Sequence, residues 1–145
     1  MGKINILHII EGLGLGGAEK RLFFDLTLMD KNRFENHVVY LYELNHYKIS
    51  IEALGVKVYP LKMRSPYKIC NVITSLLKII RDNKIDIVHT QLFWANVSGR
   101  IAAKIARVSA VLTTYQYPDY DRDNSFLYSY KRKFIDHLTG LCCNS

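Results

Sequence analysis

Three glycines stand at the spacing that phosphate-binding loops use: Gly12, Gly14 and Gly17 satisfy G-x-G-x-x-G, after a short apolar run and before a helical pattern. In that setting glycine lets the backbone turn tightly and approach an anion. The start of the helix adds unpaired N–H groups and the positive end of its dipole. Gly16 is expected to lie against a phosphate, at a positive φ that a β-branched residue resists. Glu19, in the first helical turn, suits the dipole but repels a phosphate placed there. Glu43 ends the second expected strand, where a dinucleotide-binding domain keeps its ribose-binding acid, although it sits beyond the usual offset of about 20 residues. A glycine-rich turn with no ligand gives the same letters.

A second constellation gathers His89, Thr90, Gln91, Trp94 and Asn96 at one expected strand end. Hydrogen-bonding side chains beside an aromatic ring suit a sugar, whose hydroxyls need partners and whose ring needs a flat apolar face. Taken singly, His89 reads as a buried histidine bonded to backbone and Trp94 as a helix-packing residue. The run from Tyr115 through Gln116 to Asn124 is polar, aromatic and loop-like, fit for stacking on a sugar or base or for resting on the domain as a lid. The five histidines show no metal-ligand spacing, and neither a G-x-S-x-G elbow nor a G-x-x-x-x-G-K-[ST] loop is present.

The elements that must position these residues follow from the period of the apolar pattern. Short β-branched runs predict strands at Ile4–Ile10, His37–Leu44, Val56–Pro60, Asp86–His89, Ala110–Tyr115 and from Leu141 to Asn144. Helical spacing predicts helices at Ala18–Met29, Ile69–Arg81, Ala95–Arg107 and Phe126–Leu138, with a helical turn at Ile51–Leu54. Ile69, Ile73, Leu76, Leu77 and Ile80 form one apolar face. Val97, Ile101, Ile105 and Val108 form another, beside Gly99, Ala102, Ala103 and Ala106, which permit close approach to a neighbour. Alternating strands and helices imply βαβ units: an α/β, Rossmann-like parallel sheet flanked by helices on both faces. Its expected order is 3-2-1-4-5-6, which brings Glu11–Gly17, Leu44–Tyr47, His89–Asn96 and Tyr115–Asp123 to one edge. The chain stops inside or just after an apolar strand, so a truncated or split domain is expected.

The 145 residues are 49% hydrophobic and 23% charged, a globular composition for one domain. The net charge of +7 is local: residues 44–118 hold eleven basic and three acidic side chains. Arg100, Lys104 and Arg107 line up at helical spacing. With Lys57, Lys62, Arg64, Lys68, Lys78, Arg81 and Lys84 they could meet anionic lipid, or serve only as solvated helix faces. No nucleic-acid motif accompanies them. Cys70, Cys142 and Cys143 make no disulfide framework, and no signal peptide or membrane span is legible, which points to the cytoplasm with peripheral contact at the inner face of the membrane.

The strand Ile4–Ile10, the loop Gly12-Leu13-Gly14-Leu15-Gly16-Gly17-Ala18-Glu19-Lys20, and Asp86-Ile87-Val88-His89-Thr90-Gln91 running into a Gly/Ala-rich helix resemble family 4 glycosyltransferases. The likeness is to the N-terminal, acceptor-side domain of their GT-B fold. It implies sugar transfer from a nucleotide-sugar to a glycan or lipid-linked hydroxyl acceptor in cell-surface polysaccharide synthesis. It also implies metal-independent, cofactor-free and usually retaining chemistry. The resemblance puts Gly14, Gly16 and Gly17 against the donor diphosphate and His89, Gln91, Trp94, Asn96, Tyr115 and Gln116 around the acceptor, with His89 and Gln116 nearest the reaction. Many relatives carry histidine where this chain has Gln91 and Gln116, and glutamine cannot act as a general base. The nucleotide-binding C-terminal domain of the family is absent from the sequence, so this chain alone is expected not to catalyse transfer without a partner domain or chain. Two other classes fit parts of the pattern: an NAD(P)-binding oxidoreductase domain, and a non-catalytic module docking a membrane or partner.

Overall fold

A computed structural model describes residues 2–63, 65 and 68–114. Within it the chain alternates: β1 (Ile4–Ile10), α1 (Gly17–Leu28), β2 (Phe34–Tyr40), α2 (Lys48–Ala53), β3 (Lys57–Pro60), α3 (Ile69–Asp82), β4 (Ile87–Gln91), α4 (Phe93–Ala106) and β5 (Ala110–Thr114). The five strands form one parallel sheet in the order β3-β2-β1-β4-β5. That is the expected order for the first five strands. The expected helix at Phe126–Leu138 and strand at Leu141–Asn144 lie outside the described residues.

Helices cover both faces of the sheet. Leu7, Ile9, Val39 and Val88 pack with Leu76 and Ile80 of α3 and Ala95, Ala102 and Ala103 of α4. On the other face, Ile10, Val38 and Tyr40 pack with Leu22 and Leu26 of α1 and Ile51 of α2. β1 lies between β2 and β4 and carries side chains to both cores, which is why it reads as an unbroken apolar run.

Several expected boundaries move. β2 begins at Phe34, where Ile4 pairs with it, and ends at Tyr40 rather than Leu44. Past Tyr40 the chain turns, because the amides of Leu41 and Tyr42 both donate to the Glu11 carbonyl (3.2 and 2.7 Å). β4 runs on to Gln91, since Thr90 and Gln91 pair with Ile9 and Ile10 on one side and Thr113 and Thr114 on the other. The expected turn at Ile51–Leu54 is a helix from Lys48 to Ala53.

The apolar faces need correction as well. On α3 the fully buried residues are Val72, Leu76 and Ile80, with Ile73 and Leu77 half-buried against the same core. On α4 the proposed stripe fails at Ile105, which is 53% exposed. The small residues make the contact instead. A Cβ on Gly99 would overlap the Thr90 methyl and lie 3.0 Å from Ile9 Cδ1, so α4 sits directly on β1 and β4. Close backbone approach, rather than side-chain bulk, sets that interface. Arg100 leaves the basic row: it is 2% exposed, and its Nε donates to Thr113 Oγ1 at 3.2 Å.

Candidate functional site

The parallel sheet delivers the glycine loop and the β4–α4 junction to the same edge, as expected for Gly14 and His89, although His89 itself lies two residues inside β4. The loop after β1 is held from within by Leu13, whose N–H donates to the Leu44 carbonyl (2.6 Å) and whose carbonyl accepts from Tyr47 N–H (2.9 Å). Gly12 is the glycine this packing demands, for a Cβ would lie 3.0 Å from Leu44 Cβ. Gly14 and Gly17 are different. A Cβ would make only ordinary contact at Gly14, 3.7 Å from Leu44 Cβ, and would meet open space at Gly17. Neither has a positive φ. Nothing among the described residues explains the missing side chains.

Gly16 departs from expectation. As N-cap of α1 it has φ −78° and ψ 169°, ordinary extended backbone, so conformational strain gives valine no penalty there. Its distinctive neighbour is Glu19, whose carboxylate folds back over Gly16 into the place a Cβ would take. Glu19 is buried. A carboxylate is favourable at a helix N-terminus, and this one stands where a phosphate bound at Gly16 would have to displace it.

Across the edge, β4 passes into α4 through Leu92, which has φ 72° and ψ 166°. That backbone region is strained for any residue with a Cβ. The turn carries the Trp94 amide to Glu11, whose Oε1 accepts its N–H at 2.7 Å. Asn96 N–H in turn donates to the Leu92 carbonyl at 2.8 Å. Gln91 and Asn96 are 1% and 3% exposed, and their side-chain oxygens find no hydrogen-bond partner among the described residues. Trp94 is half-buried against the core, its ring edge-on to Phe93. Sequence reasoning overlooked Glu11 and Leu92. A carboxylate directly after a doubly buried central strand was a usable signal for Glu11. A leucine in a glycine conformation leaves none.

His89 belongs to a hydrogen-bonded chain that crosses four strands. Asn36 Oδ1 lies 3.1 Å from His8 Nε2, His8 Nδ1 lies 3.1 Å from His89 Nδ1, and His89 Nε2 lies 2.8 Å from Thr114 Oγ1. Burial pushes His8 down to about 4, helped by repulsion from His89 and His37 and opposed by the bond to Asn36. Burial also lowers His89, with Asp25 opposing and Arg21 adding to the shift. Each neutral ring has one N–H, so the Asn36 carbonyl orders the whole chain. His8 donates from Nε2, His89 donates from Nδ1 to His8, and Thr114 donates its hydroxyl hydrogen to His89 Nε2. Both ring nitrogens of His89 are therefore occupied within the sheet, which makes it a support rather than a base open to substrate. His37 is also buried and lowered by desolvation, with both nitrogens unpartnered by hydrogen bonds among the described residues.

The remaining candidates divide. Thr90 faces α4, hydroxyl to hydroxyl with Thr113 at 3.0 Å, and serves packing. Glu43 lies past the end of β2, exposed and paired with Lys62 at 3.2 Å, so it does not stand free as a ribose acid. Lys57 is likewise paired with Glu35 at 3.4 Å. Lys68, Lys78, Arg81, Lys84, Lys104 and Arg107 are exposed. Tyr115, Gln116 and Arg64 lie outside the described residues. Among the described residues, no three His, Cys, Asp or Glu side chains come together to hold a metal ion. Nor is any described helix long and apolar enough to cross a membrane.

Solved structures share this architecture at low identity. Anabaena HepE, solved in complex with UDP, superposes with a TM-score of 0.70 at 16% identity, over 94% of this chain and 35% of that one. A putative UDP-N-acetylglucosamine 2-epimerase from Listeria monocytogenes gives 0.69 at 17%, over 99% and 38%. MurG from Acinetobacter baumannii gives 0.62 at 14%, over 76% and 34%. The chain thus spans a little over a third of the length of these proteins, and the likeness is to one Rossmann-like half of a GT-B-type fold. No curated protein matches it. The family described as glycosyl transferase 4-like matches residues 26–144. That stretch takes in β2 to β5, the His89 strand and the Gln91–Asn96 junction, and leaves the glycine loop outside. Parallel sheet, strand-end site and family match converge, and the chain belongs to the glycosyl transferase 4-like family.

Proposed function

We propose that this chain is the acceptor-side half of a glycosyltransferase that moves a sugar from a nucleotide-sugar to a hydroxyl of a glycan or lipid-linked acceptor in cell-surface polysaccharide synthesis. The observation that carries the reading is the strand-end edge. There Gly14, where a Cβ would make only ordinary contact with Leu44, and Gly17, where it would meet open space, lie at the same sheet edge as the β4–α4 junction. Glycines with no internal reason to be glycine suit a backbone that a ligand must approach closely. The donor diphosphate is assigned to Gly14 and Gly17, with Gly16 joining once Glu19 swings aside. UDP is the first nucleotide to try, because HepE was solved with it.

His89 supports the site through Thr114, and no side chain among the described residues is assigned as base. No metal or cofactor is invoked, and the nucleotide-sugar is a substrate. The reaction needs charge stabilisation at the leaving diphosphate, which among the described residues this reading draws from backbone N–H groups. A second, nucleotide-binding domain or chain is therefore part of the proposal. Exposed Lys68, Lys78, Arg81 and Lys84, at and around α3, provide a route to peripheral contact with anionic lipid at the inner membrane face. The test is transfer of labelled sugar by residues 1–145, alone and joined to a nucleotide-binding Rossmann half. Activity only in the joined protein supports the reading. Robust turnover by the chain alone, or none in any combination that binds UDP-sugar, overturns it.

A further inference from the structure

We propose that His8, His89 and Thr114 form a proton switch: with both rings neutral the Thr114 hydroxyl hydrogen points at His89, and one added proton turns it away, so that the end of β5 changes from a hydrogen-bond acceptor to a donor. The switch goes beyond the sugar-transfer reading and holds whatever ligand the edge takes.

The device stands on the three contacts in series that join Asn36, His8, His89 and Thr114, at 3.1, 3.1 and 2.8 Å. His8 and His89 are register partners across β1 and β4, and their rings meet edge-on with centroids 5.2 Å apart. The Asn36 carbonyl only accepts, so His8 keeps a hydrogen on Nε2 in either state. One hydrogen lies between the two Nδ1 atoms. In the neutral pair it belongs to His89, whose Nε2 is then a bare acceptor and takes the Thr114 hydrogen. Adding one proton leaves a single outcome. Whichever ring carries the charge, the bond between the Nδ1 atoms still holds one hydrogen, and the extra one must stand on His89 Nε2. Thr114 Oγ1 then accepts, and its own hydrogen is released.

The step balances without another reactant. A proton from solvent bonds to Thr114 Oγ1 while the hydrogen already on that oxygen passes to His89 Nε2, and the positive charge rests on the imidazole pair. Thr114 is the last residue of β5, register partner of the last residue of β4, and it is half-buried rather than closed off. The hydrogen it releases therefore turns toward the strand-end edge.

The surroundings set where the switch works. From α1, Arg21 and Asp25 act on His89 in opposite senses and pair with each other at 3.7 Å. From β2, His37 adds its repulsion to His8. On β5 the register partner of His89 is the uncharged Leu112, and α4 packs on the opposite face, against Thr90. Burial is the largest influence on both rings and holds them below the ordinary 6.5. The pair is thus neutral at pH 7, and its proton enters on the acid side, as a property of the pair and not of either ring.

The experiment is a pH titration of the 15N-labelled full chain, read from the histidine ring nitrogens between pH 8 and pH 5. At pH 8, His89 should be protonated at Nδ1 and bare at Nε2. Toward acid, His89 Nε2 should gain a hydrogen, and His8 Nδ1 should move with the same midpoint, below 6.5. Thr114→Val removes the oxygen that accepts from the charged ring, a stronger bond than the neutral one it replaces, and should lower that midpoint by about half a pH unit or more. Thr114→Ser keeps the hydroxyl and should restore it. The proposal fails if His89 Nε2 already carries a hydrogen at pH 8, if the two rings titrate with separate midpoints, or if folded Thr114→Val titrates as wild type does. The first two outcomes are read on the wild-type chain and decide the matter even where the valine variant does not fold.

Discussion

Acid should destabilise this domain through His8. His8 is held at about 4 in the fold against an ordinary 6.5. The unfolded chain therefore takes up a proton as pH falls through about 6.5 while the folded chain refuses it, and stability is lost from there down to about 4. The full difference of about 2.5 pK units corresponds to about 3 kcal/mol, of which about 2 kcal/mol is lost between pH 7 and 5. His37 and His89 are shifted in the same direction and add to the slope. The perturbation is His8→Gln, which removes the titrating ring and retains a polar side chain. Urea unfolding followed by circular dichroism at pH 7, 6 and 5 gives the stability of each protein. The variant should be less stable at pH 7, because the chain to His89 and Asn36 is broken, yet it should lose about 2 kcal/mol less than wild type on going to pH 5. Parallel pH profiles for the two proteins would refute the burial argument. An independent check is the tautomer: 15N shifts should show His8 protonated at Nε2 and His89 at Nδ1.

Gly99→Ala should destabilise by about 1–3 kcal/mol in thermal or urea unfolding, since the new methyl overlaps Thr90 and crowds Ile9, despite the better helix propensity of alanine. Arg107 ends α4 at φ 56° with an exposed side chain, so Arg107→Gly should raise stability by about 1 kcal/mol, and a drop would show that the left-handed cap carries no strain. Gly12→Ala and Gly17→Ala should separate interior from ligand. The first should lower the thermal midpoint through Leu44. The second should leave the midpoint unchanged or slightly higher while lowering sugar transfer in the joined enzyme.

The fold was legible because apolar periodicity and turn residues are local. β1, β3, α3 and β5 fall within a residue or so of where the pattern puts them, and the order of the first five strands follows from right-handed crossovers. The glycine loop and the Gln91–Asn96 segment were found because they lie at strand ends, where any parallel sheet collects its ligands. Tertiary contacts decided the rest. β2 stops at Tyr40 because the Glu11 carbonyl takes its next amides, α4 buries its alanines because Gly99 lets it close on β4, and Arg100 turns inward to Thr113. His8 and His89 are 81 positions apart in sequence and become one hydrogen-bonded pair only when β1 and β4 align in register. Glu11 reaches the Trp94 amide only because Leu92 is held in a conformation that local sequence disfavours. Residue type and spacing fix which backbone states are cheap. Which side chain meets which across the sheet depends on register and close packing, and these exist only once the distant strands have met.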